Sequence, residues 1–289
     1  MSVLLLGTLD DPVLSRVAEA LRRLGVAARI GPSGSGLDPA QFDCWRAEIS
    51  AVLVRPTGTE SGLNGEEEHA LQSWLDLTPA LVLNRPSAAA ICASKPAQLR
   101  WLRRWGWEVP PTLITTSDAE ALAFRLRHGE VIVKAVSSTR NRVRRFDEKN
   151  DQRLALLTWC PTQFQWRIAG IDHRIHVVGE RIFCCRIESE AVDYRQTLWE
   201  GTAPKLVSAT LPEEVKERCR HTCRRMGLKL AGIDLRLTPD GSWVIFEVNA
   251  MPGFTVFEAE GEAPISAAVA ELLARQPAAG NDPAGSRPR

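Results

Sequence analysis

Two acidic residues and an asparagine in the C-terminal half of the chain have the types and spacing of a metal site. The stretch GIDLRLTPDGSWVIFEVNAMPG, residues 232–253, has two runs of alternating apolar and polar residues around Pro-Asp-Gly, which is typical of a β-hairpin. If the turn centres on residues 240–241 with an even number of loop residues, Asp234 lies opposite Glu247. Asn249 then follows two residues further along the same face.

Carboxylates that face each other across two strands sit roughly 5 Å apart and normally destabilise a sheet. A hard divalent cation converts this repulsion into attraction, because Mg²⁺ binds carboxylate and amide oxygens and recruits substrate phosphates. The spacing therefore favours a magnesium site formed by Asp234, Glu247 and Asn249. The competing interpretation is a register one residue away, which leaves both carboxylates in solvent.

The elements around this hairpin change character along the chain. Over residues 1–88, apolar segments such as SVLLLG and AVLVRP alternate with helical segments such as DDPVLSRVAEALRRLG, which predicts a small α/β layer. A helix starting after Lys95, a strand after VPPT, a helix near 117–128 and the strand EVIVKAV follow. Beyond residue 160, β segments predominate, with a helix before the hairpin and another after it.

Composition and charge exclude several classes of function. The 289 residues are 44% hydrophobic and 25% charged with a net charge of +1, so nothing attracts the whole protein to nucleic acid or to an anionic membrane. No apolar run approaches the roughly 20 residues that span a bilayer. The opening MSVLLLGTLDDPV lacks the basic region of a signal peptide, and seven cysteines without a regular framework fit a reducing compartment. We therefore expect a cytoplasmic protein that binds neither nucleic acid nor membrane.

The hairpin resembles a known family. AGIDLRL followed by GSWVIFEVNAMPGF is similar to the C-terminal metal-binding hairpin of ATP-grasp ligases. The resemblance implies that Asp234, Glu247 and Asn249 hold the magnesium ions that bridge the ATP phosphates, with Mn²⁺ as an alternative ion. MPG is the turn that follows them.

Other segments resemble the family in the same order along the chain. SKPAQLRWLRRWGWEVPPTL is similar to the helix whose leading lysine reaches the nucleotide phosphates, and VIVKAV to the strand with the second phosphate lysine. TQFQWRIAGIDHRIHVVGERIF resembles the hinge strand that lines adenine, followed by an acidic residue near the ribose. The resemblance and the loop after VIVKAV imply a nucleotide-binding set of Lys95, Lys134, Ser138, Gln165, Trp166, Arg167, Ile168 and Asp172.

Three arginines are candidates for catalysis. Arg174 in DHR and Arg195 in DYR match arginines that the family directs at the phosphoryl group or the acyl phosphate. Arg236 shares a face with Asp234 in the predicted strand, and we expect it to orient that carboxylate or the acyl phosphate.

The resemblance covers roughly residues 90–258 and implies the fold class. This is an ATP-grasp fold with α+β lobes, preceded by an N-terminal α/β pre-ATP-grasp domain. The predicted boundaries are an N-terminal domain at 1–88, a central lobe at 89–160, a C-terminal lobe at 161–276 and a disordered tail at 277–289.

The activity implied is that of an ATP-dependent carboxylate–amine or carboxylate–hydroxyl ligase that forms an acyl phosphate. Within the family, the likeness is strongest to ligases that add glutamate to protein tails and to microviridin-type peptide maturases. The partner is a carboxylate substrate, and an acidic peptide, a protein tail and a free amino acid all stay open. A homo-oligomer is a further option, because relatives often form dimers or tetramers.

Three other interpretations remain. A phosphotransferase of the same fold would pass the phosphate to a hydroxyl and stop. A nucleotide-binding regulatory protein without turnover is suggested by the loop SSTRNRVRRF after Lys134, which lacks the usual glycines. Hydrogen bonds to phosphate would come instead from Ser137, Ser138 and Thr139, and positive charge from Arg140 or Arg142. A structural protein would tolerate Glu247→Gln without losing nucleotide affinity.

Other reactive residues have simpler interpretations. Cys219 and Cys223 fall on the apolar stripe of a predicted helix, which favours core packing over a zinc site. His173 and His176 are interpreted as ordinary strand residues. The basic segment 140–145 is either a solvated face or a surface that receives an acidic peptide.

Overall fold

The chain forms two compact units. The computed structural model describes residues 2–8, 10–31, 42, 45, 48–55, 65–136, 143–189, 191, 194, 204–260 and 263–275. The first unit comprises Met1–Pro86 with Pro264–Arg289, and the second comprises Ser87–Ala263. The predicted N-terminal α/β part corresponds to the parallel sheet and helices of the first unit.

The first unit is a parallel four-stranded sheet with helices. Its strands, in the order β2-β1-β3-β4, are β1 (Ser2–Leu6), β2 (Ala28–Gly31), β3 (Ile49–Val54) and β4 (Leu81–Leu83). Its helices are α1 (Pro12–Arg23), α2 (Gly65–Leu77) and a C-terminal helix (Ile265–Ala274) that packs against α1 and β3. Apolar residues of β1, β3 and α2 form the core of this unit.

Helices α3 to α5 and a four-stranded antiparallel sheet come first along the second unit. The helices are α3 (Pro86–Ala93), α4 (Lys95–Arg104) and α5 (Asp118–His128), and a 3₁₀ helix follows at Glu148–Trp159. The sheet has the order β5-β8-β6-β7, with β5 (Thr112–Thr115), β6 (Val131–Ala135), β7 (Arg144–Arg145) and β8 (Thr162–Trp166).

A five-stranded antiparallel sheet carries the predicted site. Its order is β11-β10-β9-β12-β13, with β9 (Ile171–Val178), β10 (Arg181–Glu188), β11 (Lys205–Ala209), β12 (Leu230–Leu237) and β13 (Trp243–Asn249). Among the described residues of the unit, the helices α6 (Glu213–Met226) and α7 (Thr255–Glu260) follow, and the C-terminal helix of the first unit is α8.

Helices α4 and α6 bury their apolar faces in the core beneath the five-stranded sheet. Cys219 and Cys223 are 0% and 2% exposed and belong to this core, which confirms their predicted packing role. Helix α6 ends at Gly227, whose backbone is left-handed (φ 71°), as a helix C-cap requires. Apolar residues of α4 and α6 therefore pack against one face of β12 and β13.

The two units differ from the sequence-based division in the end of the N-terminal part, at Pro86 instead of residue 88, and in the placement of the C-terminal helix. The sequence placed residues 161–276 in one C-terminal lobe, whereas α8 belongs to the first unit. An amphipathic helix signals that it must cover a core but not which core, and α8 covers that of the parallel sheet. The division at 160/161 stays a prediction, and residues 277–289 lie outside the described residues. Within the ranges described, no helix is long and apolar enough to cross a membrane.

Candidate active site

The predicted hairpin consists of β12 and β13, and its two carboxylates face each other. Asp234 pairs with Glu247 in the register, and Gly232 pairs with Asn249. Both carboxylates and Asn249 therefore lie on one face of the sheet. The competing register, one residue away, is excluded.

The turn that leads to this register differs from the prediction. The N–H of Gly241 donates to the carbonyl of Thr238 at 3.0 Å. The N–H of Thr238 donates to the carbonyl of Ser242, also at 3.0 Å, so the loop centres on Asp240 and has an odd number of residues. The prediction of an even-numbered loop is wrong. A β-bulge compensates for the difference, because Phe246 is an extra residue in β13 and restores the facing of the carboxylates.

Two cations lie beside the facing carboxylates. Arg174 is the neighbour of Asp234 on β9, and its Nη1 donates to Oδ1 of Asp234 at 2.7 Å. Lys95, the first residue of α4, has its Nζ 3.6 Å from Oε2 of Glu247. Side-chain exposure is 8% for Arg174, 20% for Asp234, 9% for Lys95 and 14% for Glu247. These two cations offset the repulsion between the carboxylates, more strongly than they would in water because all four groups are largely buried.

Gly232 makes room for the guanidinium of Arg174. A Cβ at position 232 would lie 2.2 Å from Nη2 and 2.6 Å from Cζ of Arg174, and 2.8 Å from Cβ of Pro252. Any side chain there would displace the guanidinium from Asp234. The glycine in AGID is therefore part of the site.

His176 contacts the guanidinium of Arg174. Nε of Arg174 points at Nε2 of His176 at 3.5 Å, and the same ring nitrogen lies 3.3 Å from the carbonyl oxygen of Gly253 in the MPG turn. Burial, followed by the charge of Arg174, lowers the pKa of His176 to about 3, so the imidazole is neutral. The sequence interpretation missed this contact, although the alternation of residues along β9 places His176 and Arg174 on one face.

Arg174 itself stays charged in this environment. Burial is the largest single influence and would lower its pKa, but the charge and hydrogen bond of Asp234 together with contributions from Tyr194 and Glu247 raise the pKa above its ordinary value. The predicted DYR motif thus contributes at least Tyr194 to the surroundings of Arg174. Arg195 of that motif lies outside the described residues.

The neutral state of His176 predicts a dependence of stability on pH. Its folded-state pKa lies below the ordinary value of 6.5, so the unfolded chain binds a proton first as the pH falls. The free energy of unfolding should decrease by up to about 1.4 kcal/mol per pH unit below roughly pH 6.5. We expect His176→Gln to lose this component in urea denaturation at pH 7.0 and 5.5. The exposed His221 provides the control His221→Gln, and equal pH slopes for wild type and His176→Gln would contradict the assignment.

The second predicted phosphate lysine faces the hairpin from the other sheet. Nζ of Lys134 on β6 donates to Oε1 of Gln165 at 2.8 Å, and Nε2 of Gln165 donates to Oγ1 of Thr112 at 3.0 Å. Lys134 also lies over the ring of Phe246, with Nζ 5.9 Å from the centroid. The bulge residue therefore lies between the two sheets, next to a predicted phosphate ligand.

Arg236 binds a different carboxylate from the one predicted. Its Nε and Nη2 donate to the two oxygens of Asp172 at 2.7 and 2.8 Å, and its Nη1 donates to the carbonyl of Ile168 at 2.6 Å. Its Cζ lies 5.0 Å from the ring centroid of Phe246. Arg236 thus joins the predicted ribose residue, the hinge and the bulge residue. A role towards Asp234 or the acyl phosphate stays a prediction.

The remaining hinge residues, Trp166 to Ile168, lie at the end of β8, before the chain enters β9 of the other sheet. Trp166 is 38% exposed, and the centroid of its ring lies 5.9 Å from that of His128. Arg167 forms an ion pair with Glu130 at 2.6 Å, whereas Ile168 is buried. Ser138 lies outside the described residues, so its predicted phosphate contact stays untested.

The donors at the hairpin suit a hard divalent cation. In the part of the chain that the structure describes, no three His, Cys, Asp or Glu side chains form a metal-binding group. The predicted set has only two carboxylates, so the amide of Asn249 and oxygens from water and substrate would complete it, as Mg²⁺ prefers. The sequence analysis did not predict a role in the site for Phe246, the bulge residue, or for Gln98, which contacts β13. No signal in the sequence indicated the bulge, because the even-numbered loop that it suggested already places Asp234 opposite Glu247 without one.

Comparison with known proteins identifies the family. The family model described as a RimK-like ATP-grasp domain matches residues 104–273. The chain belongs to this family, which confirms its predicted membership of the ATP-grasp ligases. Members of this group are ADP-forming ligases.

Solved structures confirm the predicted ATP-grasp fold, and a curated ligase sequence matches part of the chain. The ATP-grasp ligase PsnB, complexed with a phosphomimetic variant of its minimal precursor, Mg and ADP, has a TM-score of 0.80 and 23% identity, covering 94% of this chain and 97% of that one. The macrocyclase MdnC from Microcystis aeruginosa MRC, bound to precursor peptide MdnA, has a TM-score of 0.79 and 22% identity, covering 96% and 100%. A D-alanine–D-alanine ligase of Bifidobacterium longum (strain DJO10A) is 31% identical over 93 residues, which is 30% of this chain and 24% of that ligase. The chain therefore matches only about a quarter of that curated relative.

Proposed function

We propose that this protein is an ATP- and Mg²⁺-dependent ligase that joins the carboxylate of a peptide or protein to an amine or hydroxyl through an acyl phosphate. The observation that carries the proposal is the pair of facing carboxylates, Asp234 and Glu247, with Arg174 and Lys95 beside them. A hairpin with a purely structural role does not require four largely buried charged side chains. Apolar residues of similar volume would stabilise it as well, without the free energy needed to remove the charges from water.

Each group has a role in this proposal. Asp234, Glu247 and Asn249 would hold Mg²⁺, or Mn²⁺ in its place, which would supply positive charge to the ATP phosphates. Lys95 of α4 and Lys134 of β6 would bind the phosphates. The hinge and Phe246, whose ring lies beside Lys134 and Arg236, would contact adenine.

The reaction needs no side-chain nucleophile. A substrate carboxylate oxygen bonds to the γ-phosphorus of ATP as the bond to the bridging oxygen breaks, which gives ADP and an acyl phosphate. An amine or hydroxyl then attacks the acyl carbon, and inorganic phosphate leaves with the oxygen that came from the carboxylate. Arg174, charged and fixed by Asp234, stabilises the charge that develops on the transferred phosphoryl group.

A peptide substrate is favoured over a free amino acid. The PsnB and MdnC structures, which have this fold over almost their full length, contain precursor peptides. Arg144 and Arg145 on β7 are exposed, in keeping with the alternative that the basic segment receives an acidic peptide. Assembly into a homo-oligomer is compatible with the proposal but is not needed for it.

Hydroxylamine trapping tests the proposal. The protein is incubated with ATP, Mg²⁺, hydroxylamine and peptides rich in Asp and Glu, and ADP and peptide hydroxamate are measured by mass spectrometry. We expect equal amounts of both, because hydroxylamine intercepts an acyl phosphate. Formation of ADP with a stable phosphopeptide would instead indicate a phosphotransferase. Nucleotide binding without ADP formation across the peptide set would indicate a regulatory protein.

A further inference from the structure

A buried glutamine pairs with the backbone of the metal-binding strand. Nε2 of Gln98 donates to the carbonyl of Val248 at 2.8 Å, and the N–H of Val248 donates to Oε1 of Gln98 at 2.9 Å. The side chain of Gln98 is on α4 and the residue is 1% exposed. One side-chain amide therefore reproduces the two hydrogen bonds of a neighbouring strand.

The paired strand is at the edge of its sheet. Among the strands that the structure describes, β12 is the one that pairs with β13, and the outer edge of β13 has an isolated parallel bridge between Val244 and Glu108. Val248 lies between the proposed ligands Glu247 and Asn249. The free edge is also held by the N–H of Ile245, which donates to the carbonyl of Glu108 at 2.9 Å. Without these partners, buried backbone groups of the strand would lack hydrogen bonds.

The bulge and the two edge contacts belong together. In a regular strand, residues three apart turn their N–H groups to opposite edges. Ile245 and Val248 are three residues apart, yet the N–H groups of both point to the outer edge of the sheet, because Phe246 adds one residue between them. The segment from Gln98 to Glu108 thus clamps β13 on either side of the bulge that sets the facing of Asp234 and Glu247.

The same helix delivers Lys95 to the same strand. Lys95 and Gln98 are three apart on α4, so their side chains are neighbours on one helical face. Gln98 meets the backbone of Val248 while Nζ of Lys95 lies 3.6 Å from Glu247. A shift of α4 along β13 would therefore change the distance between the cation and the carboxylate.

We infer that Gln98 is a positioning residue for the magnesium and phosphate site, holding α4 and β13 in the register that places Lys95, Glu247 and Asn249. Other side chains lack the required chemistry or length. An ionised Glu has no donor for the Val248 carbonyl, Met has neither a donor nor a strong acceptor, and Asn is one methylene shorter. The inference rests on the proposed function, because it assumes that the site binds a magnesium nucleotide.

The test compares two deletions of buried hydrogen bonds in the second unit. Gln98→Met keeps the side-chain length but loses both bonds to Val248. Thr222→Val is the matched control, because Oγ1 of the buried Thr222 accepts from Nε1 of Trp107 at 2.8 Å, in a bond that involves none of the proposed ligands. Hydrogen exchange of the Val248 amide and the affinity for ADP at fixed Mg²⁺ concentrations are measured for both variants and the wild type.

We expect only Gln98→Met to speed exchange at Val248 and to weaken Mg²⁺-dependent ADP binding, by about 10- to 100-fold. If Gln98→Met does not fold, Gln98→Asn provides the test, with a smaller loss in the same direction. Equal affinities for the Gln98 variant and Thr222→Val would overturn the positioning role and leave the proposed function intact. Failure of the wild type to bind ADP with Mg²⁺ would overturn both.

Discussion

Replacing Glu247 by Gln should abolish Mg²⁺-dependent nucleotide binding and lower ATP turnover by about 100-fold or more, in the range found when a group that stabilises developing charge is removed. An amide of the same shape keeps one oxygen but loses the charge that a hard cation needs. The fold should survive, because the ion pair with Lys95 is long, at 3.6 Å. Calorimetric titration of ADP with and without Mg²⁺ measures the effect.

Glu108→Gln is the matched control for this variant. Glu108 is an exposed carboxylate of the same unit, and its contact with β13 is made by its backbone carbonyl. The control should bind ADP with the wild-type dependence on Mg²⁺. Retention of that dependence by Glu247→Gln would contradict the assignment of Glu247 as a ligand.

Arg174→Met should give the second large effect, on both stability and activity. The change leaves Asp234 facing Glu247 without its 2.7 Å partner, and breaking such a buried pair costs roughly 3 kcal/mol, less where solvent reaches the carboxylate. Added Mg²⁺ can replace the lost positive charge. We therefore expect Mg²⁺ to raise the melting temperature of Arg174→Met more than that of the wild type, while hydroxamate formation stays abolished.

Arg218→Met separates this effect from general loss of an arginine. Arg218 lies over the ring of Trp107, with Cζ 4.1 Å from the centroid, and donates to the carbonyl of Gly106 at 2.8 Å. It has no place in the proposed site, so its variant should gain no extra stability from Mg²⁺. Equal stabilisation of Arg174→Met and the wild type by Mg²⁺ would refute the electrostatic role of Arg174.

Most of the regular elements could be predicted from local patterns. The predicted helix before the hairpin spans Glu213–Met226, because its apolar stripe and Gly227 define both its inner face and its end. The 3₁₀ helix at 148–159 was not predicted, since its sequence has no helical periodicity. The packing of α8 on the parallel sheet could not be predicted from local patterns either, because it is a contact between residues that are distant along the chain.

The candidate site was predictable where residue type and strand alternation determine position. Asp234, Glu247 and Asn249 lie on one face of the sheet, as the sequence predicted. The predicted loop length was wrong, but the extra residue Phe246 in β13 compensates for the difference. The ion pair between Arg236 and Asp172 was not predicted, because the sequence did not show that β12 pairs with β9 as well as with β13. Gln98 was missed because a polar residue on a helix gives no sign of an edge strand beside it.

The most direct test of the account is a crystal structure of the protein with ADP and Mg²⁺. We predict a metal ion bound by oxygens of Asp234, Glu247 and Asn249 at about 2.0–2.1 Å. The phosphates should contact Lys95 and Lys134, with adenine beside Phe246. A nucleotide bound elsewhere, or a metal ion away from the β12–β13 hairpin, would contradict the central claim that the facing carboxylates form the catalytic metal site.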